Sequence, residues 1–211
     1  MKIDAERGSR VVLIRHGRTA WNDQGRLMGR ADIPLDEVGH AQARELVEIV
    51  RAMDPARLVS SPLIRARSTA EPLARATGLP IEEDDRWIEV DVGELEGLTW
   101  AAVEQLYPEF GARLRHEPGD TARPGGESDA QLQERSVAAL EDCMRSNPGE
   151  CVVVVSHGGT IRATLAWVLG VPLGEKWRLM VDNASLSSVE MTSRGLVIRF
   201  ANVPAGFVDD R

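Results

Sequence analysis

Two short runs in this chain, Val11-Val12-Leu13-Ile14 and Cys151-Val152-Val153-Val154-Val155, are continuous, apolar and mostly β-branched. Runs of this kind fit strands buried on both faces of a parallel sheet, where no side chain meets water. Leu58-Val59-Ser60 is a shorter run of the same character. Between the runs, apolar residues recur at helical spacing: Ala41, Leu46, Val47, Ile49 and Val50 after Gly39, then Leu63, Ala66, Ala70, Leu73 and Ala74 after Pro62. Strand and helix alternate, which predicts an α/β fold, a three-layer open and mostly parallel sheet with helices on both faces. Ser61-Pro62 reads as the start of a helix, with proline in the first turn, and Pro72 predicts a kink or an early end to that helix. Further helices are expected over 129–144 and 160–169, and strands over 186–191 and 196–203. Glycines and prolines interrupt 82–127 repeatedly, which predicts short helices and loops lying over the sheet.

The length of 211 residues, 43% of them hydrophobic, suits one good core and is short for two. Residues 1–211 are therefore expected to form a single domain. The opening MKIDAERGSR is charged, and no stretch approaches the roughly 18 uninterrupted apolar residues of a membrane span. A cytoplasmic protein is the expectation. Cys143 and Cys151 are too few for a disulfide framework and read as ordinary reduced residues. A formal net charge of −8 argues against nucleic acid and anionic membrane as partners, because summed repulsion opposes any long polyanion. A small phosphate can still be held by a local basic pocket.

The polar residues that follow the strands carry the chemistry. Arg15-His16-Gly17 comes directly after one buried run, and Ser156-His157-Gly158-Gly159 directly after another. Ligands of open α/β sheets bind beyond the carboxyl ends of the strands, so both histidines should face one crevice. Arg65 falls in the first turn of its helix, where a cation opposes the helix dipole and a nearby anion would offset it. Gly158 opens the helix over 160–169, whose first N–H groups form a ready anion site. Two arginines, two histidines and that terminus describe a pocket for a dianionic tetrahedral group.

The stretch Arg15-His16-Gly17-Arg18-Thr19-Ala20-Trp21-Asn22 resembles the signature of the histidine phosphatase superfamily, the phosphoglycerate mutase-like proteins. Agreement continues in family order through Asp32-Ile33-Pro34-Leu35, Ser60-Ser61-Pro62-Leu63-Ile64-Arg65-Ala66, Glu89 with Gly93 and Glu96-Gly97, Gly125-Gly126-Glu127-Ser128 and Ser156-His157-Gly158-Gly159. The resemblance implies that His16 becomes phosphorylated, that Arg15, Arg65 and His157 bind the phosphoryl group with help from Asn22, and that Glu89 is the proton donor. It implies no metal and no other cofactor. A neutral imidazole of reference pKa about 6.5 is nucleophilic near neutrality, and phosphoryl transfer asks mainly for in-line placement and charge stabilisation.

The partner so implied is a small phosphorylated metabolite, hydrolysed by a phosphatase. The alternatives are a phosphoglycerate-type mutase and a non-catalytic phospholigand-binding protein. Mutases of this type resemble longer chains with a basic insertion, whereas 98–121 here is short and offers Arg113 and Arg115 as its cations. A non-catalytic relative would show a replaced histidine, and both are present. Met28 and Leu95 depart from the family pattern and should reshape the leaving-group side. Trp21, Trp87 and Trp100 read as packing residues, with Trp87 able to wall that pocket. Glu127 and Ser128 are candidates to brace the loop over it. His40 and His116 read as solvated. The sequence carries no signal for oligomeric state, and sugar phosphates, phosphoglycerate derivatives and nucleotide-pathway monophosphates all fit as substrates.

Overall fold

In the computed structural model, which describes residues 8–116 and 120–206, the elements run β1 (Arg10–Arg15), α1 (Ala20–Asp23), α2 (Glu37–Ala52), β2 (Arg57–Ser60), α3 (Ile64–Thr77), β3 (Ile81–Glu83), α4 (Trp100–Leu106), α5 (Pro108–His116), α6 (Asp129–Ser146), β4 (Cys151–Ser156), α7 (Gly158–Leu169), β5 (Ser185–Thr192) and β6 (Gly195–Pro204). Six strands form one sheet in the order β3-β2-β4-β1-β5-β6. The first four strands in the chain are mutually parallel, while β5 and β6 run antiparallel at one side. This is the α/β, mostly parallel arrangement expected from the alternating pattern.

The alternation of side chains along β1 and β4 explains why both strands are wholly apolar. Val11, Leu13, Val152 and Val154 point to one face, where they pack with Leu140, Ile161 and Leu165 of α6 and α7. Val12, Ile14, Val153 and Val155 point to the other, against Leu46 and Val50 of α2 and Ala66, Ala70 and Leu73 of α3. Full burial of each such side chain is worth about 1.5–3 kcal/mol, so a polar substitution on either face is heavily penalised. A third cluster, with Val90, Val92, Leu95, Val103 and Phe110, packs on Leu132 and Ala163 and gives 84–127 its own small core at the end of the sheet.

Several local expectations change in the structure. Glu37, not the stretch after Gly39, opens α2, because the Asp36 side chain caps it by accepting from the Gly39 N–H at 2.7 Å. In α3, the helix starts at Ile64 rather than at Pro62, and Ser61 turns its hydroxyl towards His157 instead of capping. Pro72 lies inside α3 without ending it. The strand β3 went unread and runs into the start of the stretch read as helices and loops; its sequence, Ile-Glu-Glu, has no apolar run because it is an edge strand. No helix among the described residues is long and apolar enough to cross a membrane. Cys143 and Cys151 are buried free thiols whose pKa burial raises, to about 11 for Cys143.

Candidate active site

Strand register brings the two histidines together. Arg15 pairs with Ser156 at the carboxyl ends of β1 and β4, and the His16 N–H continues the ladder to the Ser156 carbonyl at 2.9 Å. The next residues, His16 and His157, then stand with ring centroids 5.2 Å apart. Crossovers leave β1 and β4 towards opposite sides of the sheet, which opens a crevice at this point.

His16 is 1% exposed, and its Nδ1 lies 2.7 Å from the Gly17 carbonyl oxygen. A carbonyl only accepts, so Nδ1 carries the proton and Nε2 keeps its lone pair. Burial, then the charges of Arg65 and Arg15, push the pKa of His16 well below its ordinary value. The ring is held neutral with its free nitrogen fixed by a bond on the opposite side. Nitrogen-15 NMR of the histidines should therefore show His16 as the neutral Nδ1–H tautomer at pH 6.5, where an ordinary histidine is half protonated. An imidazolium signal assigned to His16 at that pH would contradict this.

His157 is fully buried and is also pushed well below its ordinary pKa by burial and by Arg65. Arg65 Nε donates to His157 Nδ1 at 3.2 Å, so the proton of His157 sits on Nε2, which meets Ser61 Oγ at 2.7 Å. The remaining guanidinium bonds of Arg65 run to the carbonyls of Ala31 at 2.7 Å and Gly29 at 2.8 Å. These acceptors, together with His157, offset the cation at the start of α3. Burial lowers the pKa of Arg65 to about 10, which still leaves it charged near neutrality.

Arg15 donates through Nη1 to the Val181 carbonyl at 2.8 Å, while its Nε is buried without a partner. Gly158 permits this placement, since a Cβ there would lie 3.3 Å from Arg15 Nε. Asn22 has its side-chain oxygen fixed by Thr19 N and Oγ1, both at 3.1 Å, and by Asn183 Nδ2 at 3.2 Å. That fixes the carboxamide and leaves its NH₂ for the cavity, which Asn22 lines.

Glu89 sits on the N-terminus of α7. Its carboxylate accepts from Gly159 N and Thr160 N, both at 3.1 Å, and from Val90 N at 2.9 Å. The helix terminus expected to face phosphate thus gives two of its N–H groups to Glu89, and the positive end of the dipole holds the carboxylate in place. A Cβ at position 159 would lie 2.5 Å from Glu89 Oε1, so the second glycine is a steric requirement of that contact. Behind it, Arg135 donates to the carbonyls of Arg86, Ile88 and Glu89 at 2.6–3.1 Å and pairs with Glu127 at 2.7 Å. Burial works to raise the pKa of Glu127, but Arg135 outweighs it and the net shift is downward. Glu127 braces the segment carrying Glu89 through this arginine, while Ser128 caps α6 in a capping box with Gln131.

A cavity of about 450 Å³ is lined by Arg15, His16, Asn22, Glu89, Gly158 and Gly159 among others. Arg65 and His157 stand behind His16 and do not line it. Met28 and Leu95 both do. Trp87 is fully buried in the main core, as a packing residue should be, and does not wall the cavity, whereas Trp100, also read as a packing residue, is half exposed at its wall with Trp177. Arg26, Arg123, Arg162 and Lys176 also line the cavity, and none had a sequence neighbour to reveal it. His40 is exposed on α2, and the His116 side chain lies outside the described residues.

A neutral imidazole, an unpartnered guanidinium N–H and a carboxylate line one cavity, a set of groups suited to phosphoryl transfer. The chain belongs to the histidine phosphatase superfamily (branch 1), whose model matches residues 11–204. Phosphoserine phosphatase 1 of Hydrogenobacter thermophilus is 36% identical over 194 residues, 92% of each chain. "Probable phosphoglycerate mutase GpmB" of Salmonella paratyphi C is 34% identical over 85% of this chain and 84% of its own. The solved mycobacterial glucosyl-3-phosphoglycerate phosphatase complexed with VO3 superposes with a TM-score of 0.83 at 34% identity, covering 92% of this chain and 98% of that one.

Proposed function

We propose that this protein hydrolyses phosphomonoesters of small metabolites through a phosphohistidine on His16. The observation that carries the reading is the His16 tautomer, since the Nδ1 bond to Gly17 leaves Nε2 as a neutral nucleophile on a residue that lines the cavity. Arg15 offers its unpartnered Nε–H to a phosphoryl oxygen, and Asn22 offers its NH₂. Arg65, behind His16, adds a positive charge to the site and holds His157 through its Nδ1. Together these groups stabilise charge on the equatorial oxygens of the transition state. Glu89 protonates the departing oxygen, then takes a proton from the water that attacks phosphohistidine, returning the enzyme to its starting state.

Relatives named as phosphatases over nearly the full chain favour water over a second hydroxyl as the acceptor. Release of inorganic phosphate from a panel of phosphorylated metabolites, ranked by kcat/KM, tests the assignment. Turnover of no member, or transfer to a hydroxyl without phosphate release, would refute it. Because arginines are assigned the charge stabilisation that a metal ion supplies elsewhere, kcat/KM should change less than about twofold after EDTA treatment and desalting. Loss of activity that an added divalent metal restores would overturn that assignment.

A further inference from the structure

We propose that the leaving group of the substrate carries a carboxylate, which binds Lys176 and Arg123 at a second anion subsite in the cavity that His16 lines. The proposal rests on the phosphatase reading above and extends it to the substrate class. Asp129, the first residue of α6, is 3% exposed at its side chain and lies between Arg123 Nη2, at 2.7 Å, and the Lys176 ammonium. Both cations are themselves largely buried, and all three side chains line the cavity. Burial alone would raise the pKa of Asp129, but the two cations outweigh it and hold the carboxyl low, so it stays charged near neutrality.

Two cations on one carboxylate leave one positive charge in excess where water is largely shut out. Such a charge is costly unless an anion meets it. Arg123 is already committed to Asp129 and, through Nη1 at 2.9 Å, to the Glu127 carbonyl. Lys176 has three N–H donors, and its bond to Asp129 uses one of them. Lys176 is therefore the group with donors to give.

The charge of the whole cavity points the same way. With Arg15, Arg26 and Arg162, these two cations face Glu89 and Asp129 among the described lining residues, a surplus of three positive charges. A phosphoryl dianion takes part of this surplus, and the single excess charge of the Arg123–Asp129–Lys176 group is left for a singly charged group such as a carboxylate. The surplus stands on a chain whose net charge is −8, so it belongs to the cavity and not to the general surface. Elsewhere the wall is apolar, with Leu27, Met28, Val92 and Phe110, and offers an uncharged polar leaving group little.

The test compares 3-phosphoglycerate with glycerol 3-phosphate, which has a hydroxymethyl group in place of the carboxylate. Wild-type kcat/KM should favour the carboxylated ester by about 10- to 100-fold, the scale of a charge-assisted hydrogen bond. Lys176→Met should bring that ratio close to one, and Lys176→Arg should restore part of it. A structural disturbance of Asp129 would lower both rates and leave the ratio unchanged. A wild-type ratio near one, an unchanged ratio in Lys176→Met, or a preference for propane-1,3-diol bisphosphate over the carboxylated ester would overturn the subsite. The wild-type ratio decides even if a variant fails to fold. Turnover of 4-nitrophenyl phosphate with a ratio near one would sink the subsite while the phosphatase reading stands. Absence of turnover with every ester, the aryl phosphate included, would sink both.

Discussion

Replacing His16 by alanine should lower phosphomonoester turnover by about four orders of magnitude or more, the scale seen when a covalent nucleophile is removed. The geometry makes the loss hard to bypass. His16 lines the cavity and keeps the Nε2 lone pair free, and the Gly17 carbonyl holds the ring by its other nitrogen at 2.7 Å. His157 is no substitute, because Arg65 occupies its Nδ1 and its Nε2 bears the proton shared with Ser61. Direct attack by water would need a base and a position that only the second half-reaction provides. In the wild type, rapid quench with radiolabelled substrate should trap one acid-labile phosphate on the peptide containing His16. A phosphorylated residue elsewhere, or an alanine variant within tenfold of wild type, would remove His16 from its role. Because His16 is buried, retention of phosphate binding by the variant should be checked so that unfolding is not mistaken for lost chemistry.

The central strands were legible because burial on both faces leaves a continuous apolar run, and β1 and β4 are covered by helix pairs on each side. Their register follows from the sheet, so residues just after the runs had to be neighbours. Edge strand β3 carried no such run and went unread. Ser61 and Pro62 have the composition of a helix start, yet tertiary structure turned Ser61 to His157 and moved the start to Ile64. The N-terminus of α7 was read as a phosphate site from local chemistry alone, and the competing ligand, Glu89, lies 70 positions away. The Arg123–Asp129–Lys176 group was invisible for the same reason: Lys176 and Asp129 are 47 positions apart, and a lone lysine in a polar stretch reads as solvated. Arg135 looks like any helix-surface cation until the carbonyls of 86–89 are seen on it. Trp87 packs in the main core as expected, whereas Trp100, read as a packing residue too, is half exposed on the cavity wall, a placement that no periodic pattern announces.

Glu89→Gln should separate substrates by leaving group. An alkoxide is a poor leaving group and needs a proton as the P–O bond breaks, whereas a nitrophenoxide is stable enough to depart with little help. Glu89 lines the same cavity as His16 and is the carboxyl group assigned to supply that proton. Glutamine keeps the size of the side chain and loses the acid. It also replaces one acceptor oxygen by NH₂, and both oxygens of Glu89 accept from backbone N–H groups of α7. A donor then confronts a donor, so some disturbance of the site is expected whatever the role of Glu89. The aryl ester measures that disturbance, because position and charge matter to it while the proton does not. Leaving-group release in a single turnover should slow by about 10²–10⁴-fold for glycerol 3-phosphate and by less than about tenfold for 4-nitrophenyl phosphate. Steady-state rates would blur the contrast, since Glu89 also serves as the base in hydrolysis of phosphohistidine and that step can limit both substrates. Rapid-quench measurement of the first half-reaction avoids this. Equal fractional losses for the two esters would show that Glu89 is held at the helix terminus for position alone, and that another group protonates the leaving oxygen.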